Sequence, residues 1–287
     1  MKIGVLINPL SGGINKKKLP HRLKKVLPDN TLIHISESAA DTKAFTEKCK
    51  NEQFDLLVVA GGDGTLNDVG TVLCGSNTAL GIYPQGSGNG LARMLGAKAD
   101  PQKLLRSIQK GQIERIDTGK VNERTFLNVA GVGFDAHIAQ RFANNAVRGF
   151  SGYISETLRA FGQYSAETYT LQFNGREFRL PAFLLTVCNG SQYGNNAWIS
   201  PQSDLFDGKL ELNAIGPMTW VKAPSLVYSL FRKQITNHRE LQQYSATEFY
   251  LERQHEGPVN IDGEFEIMGK DLHFQVNPGS LRVLMPA

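Results

Sequence analysis

The amino-acid sequence predicts an α/β domain with a Rossmann-like parallel sheet, followed by a domain that is mainly antiparallel β. Its 287 residues exceed the usual size of one domain, although one large domain is the alternative. Apolar runs alternate with segments of helical period in the first third, and short β-branched and aromatic runs dominate from about residue 119. We therefore predict domains over residues 1–119 and 120–279, with the last strand, 280–287, able to return to the first domain.

The first third predicts a parallel sheet that is covered by helices on both faces. Four apolar runs are typical of buried strands and lie at residues 3–7, 31–35, 56–59 and 80–83. Helical periodicity follows these runs at residues 18–27, 42–50, 68–73 and 91–95. In such a sheet, ligands gather at the carboxyl ends of the strands.

The second half has the pattern of an antiparallel β domain. Short β-branched and aromatic runs predict strands at residues 126–129, 169–173, 182–188, 209–215, 246–250, 272–276 and 281–285. Two segments of helical period, 137–161 and 220–235, interrupt this pattern. The wider segment 220–238 combines apolar and basic residues. Core packing is the preferred interpretation of this segment, and docking at an anionic bilayer is the alternative.

Composition and charge exclude several classes of protein. Hydrophobic residues make up 41% and charged residues 20%, which argues against disorder. The net charge of +4 is too small for a nucleic-acid-binding protein but suits anionic ligands or an anionic membrane surface. The basic run Lys16–Lys18 is interpreted as a solvated helix face. No apolar run reaches the roughly 18 residues that a spanning helix needs, so we expect a cytoplasmic protein with peripheral membrane contact.

Three cysteines, Cys49, Cys74 and Cys188, are far apart in the sequence and lack the spacing of metal ligands. An odd number of cysteines fits a reducing compartment better than a disulfide framework. We therefore expect three small core residues with free thiols.

The strongest motif is a glycine-rich loop that follows a buried strand. Residues 55–60 run into Gly61-Gly62-Asp63-Gly64-Thr65, and a helical pattern follows. Glycines lack Cβ atoms, so backbone N–H groups can approach phosphate oxygens at a helix N-terminus. Beside a phosphate, the Asp63 carboxylate would hold a divalent cation or contact an acceptor hydroxyl, both of which belong to phosphoryl transfer. A tight turn in which Asp63 caps the following helix is the structural alternative.

Two further turns share this position after a strand. They are Gly86-Ser87-Gly88-Asn89-Gly90 and Asn8-Pro9-Leu10-Ser11-Gly12-Gly13. Turns after neighbouring parallel strands converge on one crevice, so we expect them to lie together. Ser87 or Asn89 acting only as a helix N-cap is the alternative for the second turn. The spacing of the third turn matches neither the dinucleotide fingerprint nor the lysine-bearing phosphate loop.

Together these motifs resemble the catalytic domain of the diacylglycerol kinase family, which includes small bacterial lipid kinases and the sphingosine and ceramide kinases. The similarity extends over nearly the whole chain. Besides the three turns, it comprises residues 126–136, 204–210, 262–264 and the closing strand. NAD kinases share the Gly-Gly-Asp-Gly-Thr element, whereas the later motifs make the similarity to lipid kinases specific.

The resemblance implies a nucleotide-binding α/β domain, a C-terminal β-sandwich and an active site in the cleft between them. It implies an ATP-dependent enzyme of lipid metabolism that phosphorylates a hydroxyl group of a membrane lipid, with magnesium as a second cofactor. Gly90 stands where many bacterial members have Asp, which is closer to the sphingosine and ceramide kinases. Asp68 stands where the family often has Glu, which keeps the charge but shortens its reach. The acceptor therefore stays open among diacylglycerol-, sphingoid- and phosphatidylglycerol-like lipids.

The resemblance also implies roles for individual residues. Those that would hold ATP are Asn8, Ser36, Gly62, Asp63, Gly64, Thr65, Gly86, Ser87, Gly88 and Asn89. Glu264 is the candidate general base, and Asp63 is the second catalytic candidate. A structural magnesium ion would be bound by the carboxylates of Asp204 and Asp207 and by a backbone carbonyl, which we take to be that of Lys209.

Other interpretations stay open. From their residues alone, both Asp204–Gly208 and Asp262-Gly263 are typical of hairpin turns. An NAD kinase is the first alternative function. A non-catalytic protein that binds nucleotide or lipid is the second. The sequence also leaves open whether the chain forms a homodimer.

Overall fold

The computed structural model describes residues 1–12, 18–144, 157 and 159–287. They divide into two compact units, one formed by residues 1–117 with 279–287 and the other by residues 118–278. Gly13, Lys16 and Lys17 lie outside the described residues, as do residues 145–156 and 158 of the predicted helical insertion.

The first unit is built on a parallel sheet of apolar strands. Its strands are β1 (Ile3–Ile7), β2 (Leu32–Ile35), β3 (Leu56–Gly61), β4 (Ala79–Pro84) and the end of β18 (Asp271–Leu284). They lie in the order β2-β1-β3-β4-β18, with Val5 paired to Val58 and Val59 paired to Ile82. Every residue of β1 and β3 is buried, as expected of a sheet that is covered on both faces.

Helices follow the strands of this sheet. They are α1 (Leu19–Lys24), α2 (Ala39–Asn51), α3 (Asp63–Leu73), α4 (Gly90–Met94) and α5 (Pro101–Lys110). The helical pattern of the sequence did not predict α5. Its start is nevertheless marked, because the side chain of Asp100 accepts the N–H groups of Gln102 and Lys103 and Pro101 occupies the first turn.

The glycine-rich signature lies at a junction between a strand and a helix. Gly61 is the last residue of β3, Gly62 is the N-cap and Asp63 is the first residue of α3. The predicted helix, 68–73, therefore began five residues too late. The signature forms the first helical turn instead of a separate loop.

The second unit is a sandwich of two antiparallel sheets. Its strands are β5 (Ile113–Val121, which begins in the first unit), β6 (Arg124–Phe126), β7 (Val129–Gly133), β8 (Glu167–Phe173), β9 (Arg176–Ala182), β10 (Leu184–Cys188), β11 (Gln192–Gly194), β12 (Ala197–Trp198), β13 (Leu210–Ile215), β14 (Leu241–Ala246), β15 (Glu248–Glu252), β16 (Gly257–Ile261), β17 (Glu264–Met268) and the beginning of β18. One sheet has the order β14-β13-β10-β7-β16-β17. The other contains β18-β15-β8-β9, together with β5 and β6, and β11 and β12 form a separate two-stranded sheet.

Side chains from both sheets form one core. Phe249 and Phe274 from one sheet and Val132 and Leu185 from the other are almost completely buried in the same cluster. This arrangement, with the parallel sheet of the first unit, confirms the predicted fold class. Among its described residues the unit also contains α6 (Phe134–Asn144) and α7 (Ala223–Phe231), and a 3₁₀ turn follows at Ile235–Asn237.

Several predicted strand boundaries were wrong. The runs 126–129, 182–188 and 246–250 each divide between two strands. The run 272–276 and all but the last residue of the run 281–285 belong to the single strand β18. Pro278 and Gly279 suggest a break in that strand, but the side chain of Asp117 accepts the Gly279 N–H at 2.7 Å. Cys49 and Cys188 are buried free thiols as expected, whereas Cys74 is only partly buried.

The preferred interpretation of residues 220–238 as a core segment holds for only part of the segment. Leu226 and Leu230 of α7 pack against the core. However, the large apolar residues on the other side are exposed, namely Trp220, Val221, Val227, Tyr228 and Phe231. None of the described helices is both long and apolar enough to cross a bilayer.

Candidate active site

The three predicted turns of the first unit lie together at the carboxyl ends of β1, β3 and β4. The backbone N–H of Asn8 donates to the carbonyl of Ala60 at 3.0 Å, and that of Gln85 donates to the carbonyl of Gly61 at 2.8 Å. The Asn8 side chain donates to the Thr65 hydroxyl at 2.8 Å. Residues far apart in sequence therefore form one continuous surface of backbone groups and small side chains.

The glycines permit the turns to touch each other. A Cβ atom on Gly86 would lie 2.6 Å from the Cα of Gly62, which is closer than real side chains approach. Gly12 has a φ of +70°, and a Cβ there would overlap the carbonyl oxygen of Gln85. These glycines are therefore required for contact between the turns, in addition to leaving backbone N–H groups uncovered for a ligand.

Asp63 holds the second turn in place. Its carboxylate accepts the backbone N–H of Asn89 at 2.7 Å and that of Gly90 at 2.9 Å. These are the first amides of α4. The suggestion that Asp63 caps the helix that follows it, α3, is therefore corrected, because Asp63 is itself the first residue of α3 and caps the next helix. The negative charge also lies at the N-terminus of α3, where it is favourable.

Asn89 closes the second turn on itself. It adopts left-handed backbone geometry, and its side chain accepts the N–H of Gly86 at 2.9 Å and donates to the carbonyl of the same residue at 2.6 Å. Asn89 occupies the N-cap position of α4, but Asp63 supplies the capping carboxylate. Ser87 is exposed, and the carbonyl of Gly88 accepts the Arg93 side chain. The alternative in which Ser87 or Asn89 only caps the helix is therefore wrong.

The remaining predicted nucleotide residues lie beside these turns. Ser36 is buried, follows β2 directly, and donates its backbone N–H to the carbonyl of Ile7 at 2.9 Å. Because Ile7 ends β1, Ser36 is anchored at the same sheet edge as the other turns. Gly64 is partly exposed and Thr65 is buried in the first turn of α3.

In the second unit, Asp262 and Gly263 form the tight turn between β16 and β17. Both have positive φ angles, +50° and +95°, as two-residue hairpin turns require. The buried Asp262 carboxylate accepts three backbone N–H groups, those of Leu127 at 2.7 Å and of Asn128 and Val129 at 2.9 Å. Asp262 is therefore a structural residue that fixes the hairpin to the start of β7.

Glu264 differs from its neighbour. It is the first residue of β17, pairs with Ile261 in the hairpin, and is exposed. Its carboxylate forms no hydrogen bond or ion pair with any residue that the structure describes. Of the two carboxylates in this turn, Glu264 is the one that could meet a substrate.

A partly buried cluster that sequence reasoning missed lies behind this turn. The carboxylate of Asp135 accepts hydrogen bonds from Thr186 and Asn260 at 3.3 Å and from Tyr193 at 3.5 Å. The Asn260 side chain in turn accepts the N–H of Gly263 at 2.9 Å. Asp135 is thus connected through one amide to the turn that carries Glu264.

The environment of Asp135 disfavours its charge. Protein atoms crowd the carboxylate and displace most of its water, which raises the pKa of Asp135 to about 7, although its hydrogen bonds oppose this shift. Solvent still reaches part of the residue. A carboxyl group of this kind can exchange a proton near neutral pH. The available signal was an acidic residue two positions after the end of the buried, glycine-rich strand β7.

The predicted magnesium ligands lie on an exposed loop before β13. Asp204 accepts the backbone N–H of Phe206 at 3.1 Å, and Asp207 accepts the backbone N–H of Lys209 at 3.0 Å. Each residue uses one of its two carboxylate oxygens for this hydrogen bond. The hairpin alternative for this segment is wrong, because the loop does not join two strands that pair with each other. Within the described ranges, no cluster of three or more His, Cys, Asp or Glu side chains could hold a metal ion. Two carboxylates with one free oxygen each still fit a hard cation that takes its other ligands from carbonyls and water.

Two family models match the chain. The diacylglycerol kinase catalytic domain matches residues 2–121. The YegS C-terminal NAD kinase beta sandwich-like domain matches residues 128–285, and this second match alone covers more than half of the chain. The chain belongs to the diacylglycerol kinase family. The predicted resemblance and the predicted enzyme class are confirmed.

Relatives of this diacylglycerol kinase family member support the assignment. Proteins from Salmonella newport and Salmonella arizonae, each named "Probable lipid kinase YegS", are 26% identical over 261 residues, which cover 88% of this chain and 86% of theirs. The crystal structure of a diacylglycerol kinase from Bacillus anthracis has a TM-score of 0.77 and 19% identity, and covers 99% of this chain and 96% of its own. That structure supports the fold.

Proposed function

We propose that the chain is an ATP-dependent lipid kinase that transfers the γ-phosphoryl group to a hydroxyl group of a membrane lipid. The observation that carries this proposal is the convergence of three turns in the first unit, tied together by Asp63 and by the hydrogen bond between Asn8 and Thr65. In a kinase family, backbone N–H groups at such a position suit the phosphates of a nucleotide.

The first unit would bind ATP. The residues assigned to the nucleotide are Asn8, Ser36, Gly62, Asp63, Gly64, Thr65, Gly86, Ser87, Gly88 and Asn89. Close contact between Gly62 and Gly86 presents the backbone of two turns to one ligand. Asp63 acts here by positioning α4, since both of its carboxylate oxygens are engaged. Its contribution to catalysis would therefore be to hold the second turn against the nucleotide.

The second unit would supply the acceptor side of the reaction. Glu264 is our candidate for the general base, because it is exposed and its carboxylate is available to take a proton from the acceptor hydroxyl. Asp262 fixes the turn and Asn260 supports it from behind. A lipid acceptor also needs apolar surface to cover its acyl chains, and we assign that role to the same unit.

Magnesium would have two separate uses. With ATP, it would neutralise negative charge that develops on the phosphates. At the loop of Asp204, Asp207 and Lys209, it would hold the loop by its free carboxylate oxygens and a carbonyl group. The second use is structural, so its removal should first affect stability.

An NAD kinase is the alternative within the same architecture, because the second family model carries the NAD kinase name for its sandwich. The diacylglycerol kinase model over the first unit and the names of the relatives favour lipid. A non-catalytic binding protein is disfavoured, because Glu264 stays exposed and available, as a general base requires.

The partners follow from this reaction. They are ATP and a lipid presented at a membrane surface, reached from the cytoplasm by peripheral contact, with no nucleic acid. A homodimer is compatible with this function but is not needed for it.

The test is incubation of the purified protein with labelled ATP, magnesium and a panel that contains diacylglycerol, sphingosine, ceramide, phosphatidylglycerol and NAD. We expect label to enter one or more lipids and not NAD. Labelled NADP would support the alternative. Binding of ATP without transfer to any acceptor would support a binding protein.

A further inference from the structure

The surface around α7 carries an unusual concentration of exposed apolar side chains. Val221, which precedes the helix, is 90% exposed, and Trp220 beside it is 55% exposed. Val227, Tyr228 and Phe231 of the helix are each about half exposed, at 52%, 57% and 46%. We call these five residues the α7 apolar face. Soluble domains seldom expose so many large apolar groups together unless the surface binds something.

The helix is fixed so that this face must point outward. Leu226 and Leu230, four residues apart, pack against the core on the opposite side, and Ser229 is buried between them. Ile235, in the turn that follows, is completely buried and anchors the end of the segment. The apolar face therefore cannot turn into its own core without removing these contacts.

The segment that carries this face has a surplus of positive charge. Residues 217–239 contain Lys222, Arg232, Lys233 and Arg239 and no Asp or Glu. Glu240 follows and pairs with Lys222 at 2.8 Å, so three positive charges are left over. The guanidinium of Arg232 lies 5.9 Å from the ring of the exposed Tyr228, which places a cation at the edge of the apolar face.

We propose that the α7 apolar face docks the protein on the surface of an anionic lipid bilayer. Exposed Trp, Tyr, Phe and Val side chains would enter the interface between headgroups and acyl chains, and Arg232 and Arg239 would contact anionic headgroups. This proposal rests on the proposed function in one respect, because it explains how an enzyme without a described spanning helix reaches a lipid acceptor.

Charge complementarity favours a bilayer over a second copy of the chain. In a symmetric dimer, the same patch would meet itself, and the surplus of three positive charges on each copy would repel the other. An anionic membrane instead offers negative charge beside an apolar layer.

The experiment measures binding of the full chain to vesicles without ATP, so that it does not depend on kinase activity. The vesicles are phosphatidylcholine alone or phosphatidylcholine with phosphatidylglycerol. The apolar variant is Val221→Ser with Phe231→Ser, and the charge variant is Arg232→Gln with Arg239→Gln. Matched controls are Ile267→Ser, which is 50% exposed on β17, and Arg179→Gln, which is exposed on β9.

We expect wild type to bind the anionic vesicles and bind phosphatidylcholine weakly. The charge variant should bind anionic vesicles roughly 30-fold less tightly, because each basic residue near such a surface contributes about 1 kcal/mol. The apolar variant should bind the same vesicles at least about tenfold less tightly than wild type. Both control variants should bind as wild type does.

A second arm separates this proposal from the proposed kinase activity. Turnover on lipid in neutral detergent micelles should be unchanged in both α7 variants, whereas turnover on the same lipid in anionic vesicles should fall with binding. If no lipid is phosphorylated but vesicle binding follows the α7 variants, the docking surface stands and the kinase proposal fails. Unchanged vesicle binding in both variants would overturn the docking surface. A second result would also overturn the docking surface: wild type is a dimer, the apolar variant is a monomer, and the two proteins bind vesicles equally.

Discussion

Asp63 in the first unit and Asp262 in the second unit direct their carboxylates to backbone N–H groups, whereas Glu264, two residues after Asp262, is exposed and available. All three belong to short motifs of glycine and acidic residues that look alike in the sequence. The first two carboxylates build turns, and the third is carried by one of those turns. Similar motifs therefore contain two kinds of carboxylate. Those of Asp63 and Asp262 position the backbone, and that of Glu264 can act on a substrate.

Asp63→Asn tests the positioning role in the first unit and should have the largest effect. Asn offers one acceptor oxygen where two N–H groups now bind, and its NH₂ group would face a donor of Asn89 or Gly90. We expect the second turn to shift and turnover to fall roughly 10²- to 10³-fold, together with nucleotide affinity. Kinetics and nucleotide titration measure this, with Asp29→Asn, an exposed residue of the same unit, as control. Wild-type turnover in Asp63→Asn would contradict the positioning role.

Asp262→Ala tests the same role in the second unit. Removal of the carboxylate leaves three N–H groups without their acceptor in a buried place, so we expect a loss of about 3 kcal/mol in the free energy of unfolding. Urea denaturation measures this loss. Asp271→Ala, at an exposed position on β18, should change stability little. Equal stability of the two variants would mean that Asp262 does not hold the hairpin.

Asp135→Asn tests whether the Asp135 carboxyl group binds a proton near neutral pH. The pKa of Asp135 is raised from its ordinary value to about 7, so the folded protein binds an extra proton between about pH 4 and 7 and loses stability as the pH rises through that window. Asn stays neutral and avoids this loss. The stability of the variant relative to wild type should therefore increase by about 2 kcal/mol between pH 5 and pH 8. Unfolding curves at both pH values test this, and parallel pH dependence in the two proteins would contradict it.

Asp207→Ala should have the smallest effect, and that effect should be larger when magnesium is present. If the loop binds the ion, added magnesium should stabilise wild type by about 1 to 2 kcal/mol and leave Asp207→Ala unchanged. Thermal unfolding with and without magnesium measures the difference, with Glu256→Ala, an exposed residue of the same unit, as control. Equal responses in wild type and Asp207→Ala would remove the proposed site.

Local sequence was sufficient where one segment determines its own structure. The apolar run Ile3–Ile7, interrupted by Asn8 and Pro9, gave a buried strand with the predicted bounds. The role of Asp63 could not be read in the same way, because its partners lie 26 and 27 residues further along the chain. The contacts of Asp135 depend equally on how β7, β10 and β16 pair.

The segment around α7 shows a different limit of sequence reasoning. Periodicity identified a helix in this segment, and in that helix Leu226 and Leu230 lie on one side and Val227 and Phe231 on the other. It did not reveal which side the core covers, because both sides are apolar. Only the packing of the helix against its neighbours decides that Tyr228 and Phe231 are exposed.

Glu264→Gln is the most direct test of the distinction between the two kinds of carboxylate. Gln keeps the shape of the side chain but cannot accept the hydroxyl proton, so turnover on the best lipid should fall roughly 10²- to 10⁴-fold while ATP affinity and stability stay near wild type. Glu266→Gln, two residues further on the same strand and paired with Arg124 at 3.1 Å, is the matched control and should retain turnover. Near-normal turnover in Glu264→Gln, measured beside a poorly active Asp63→Asn, would contradict the account and place the base elsewhere.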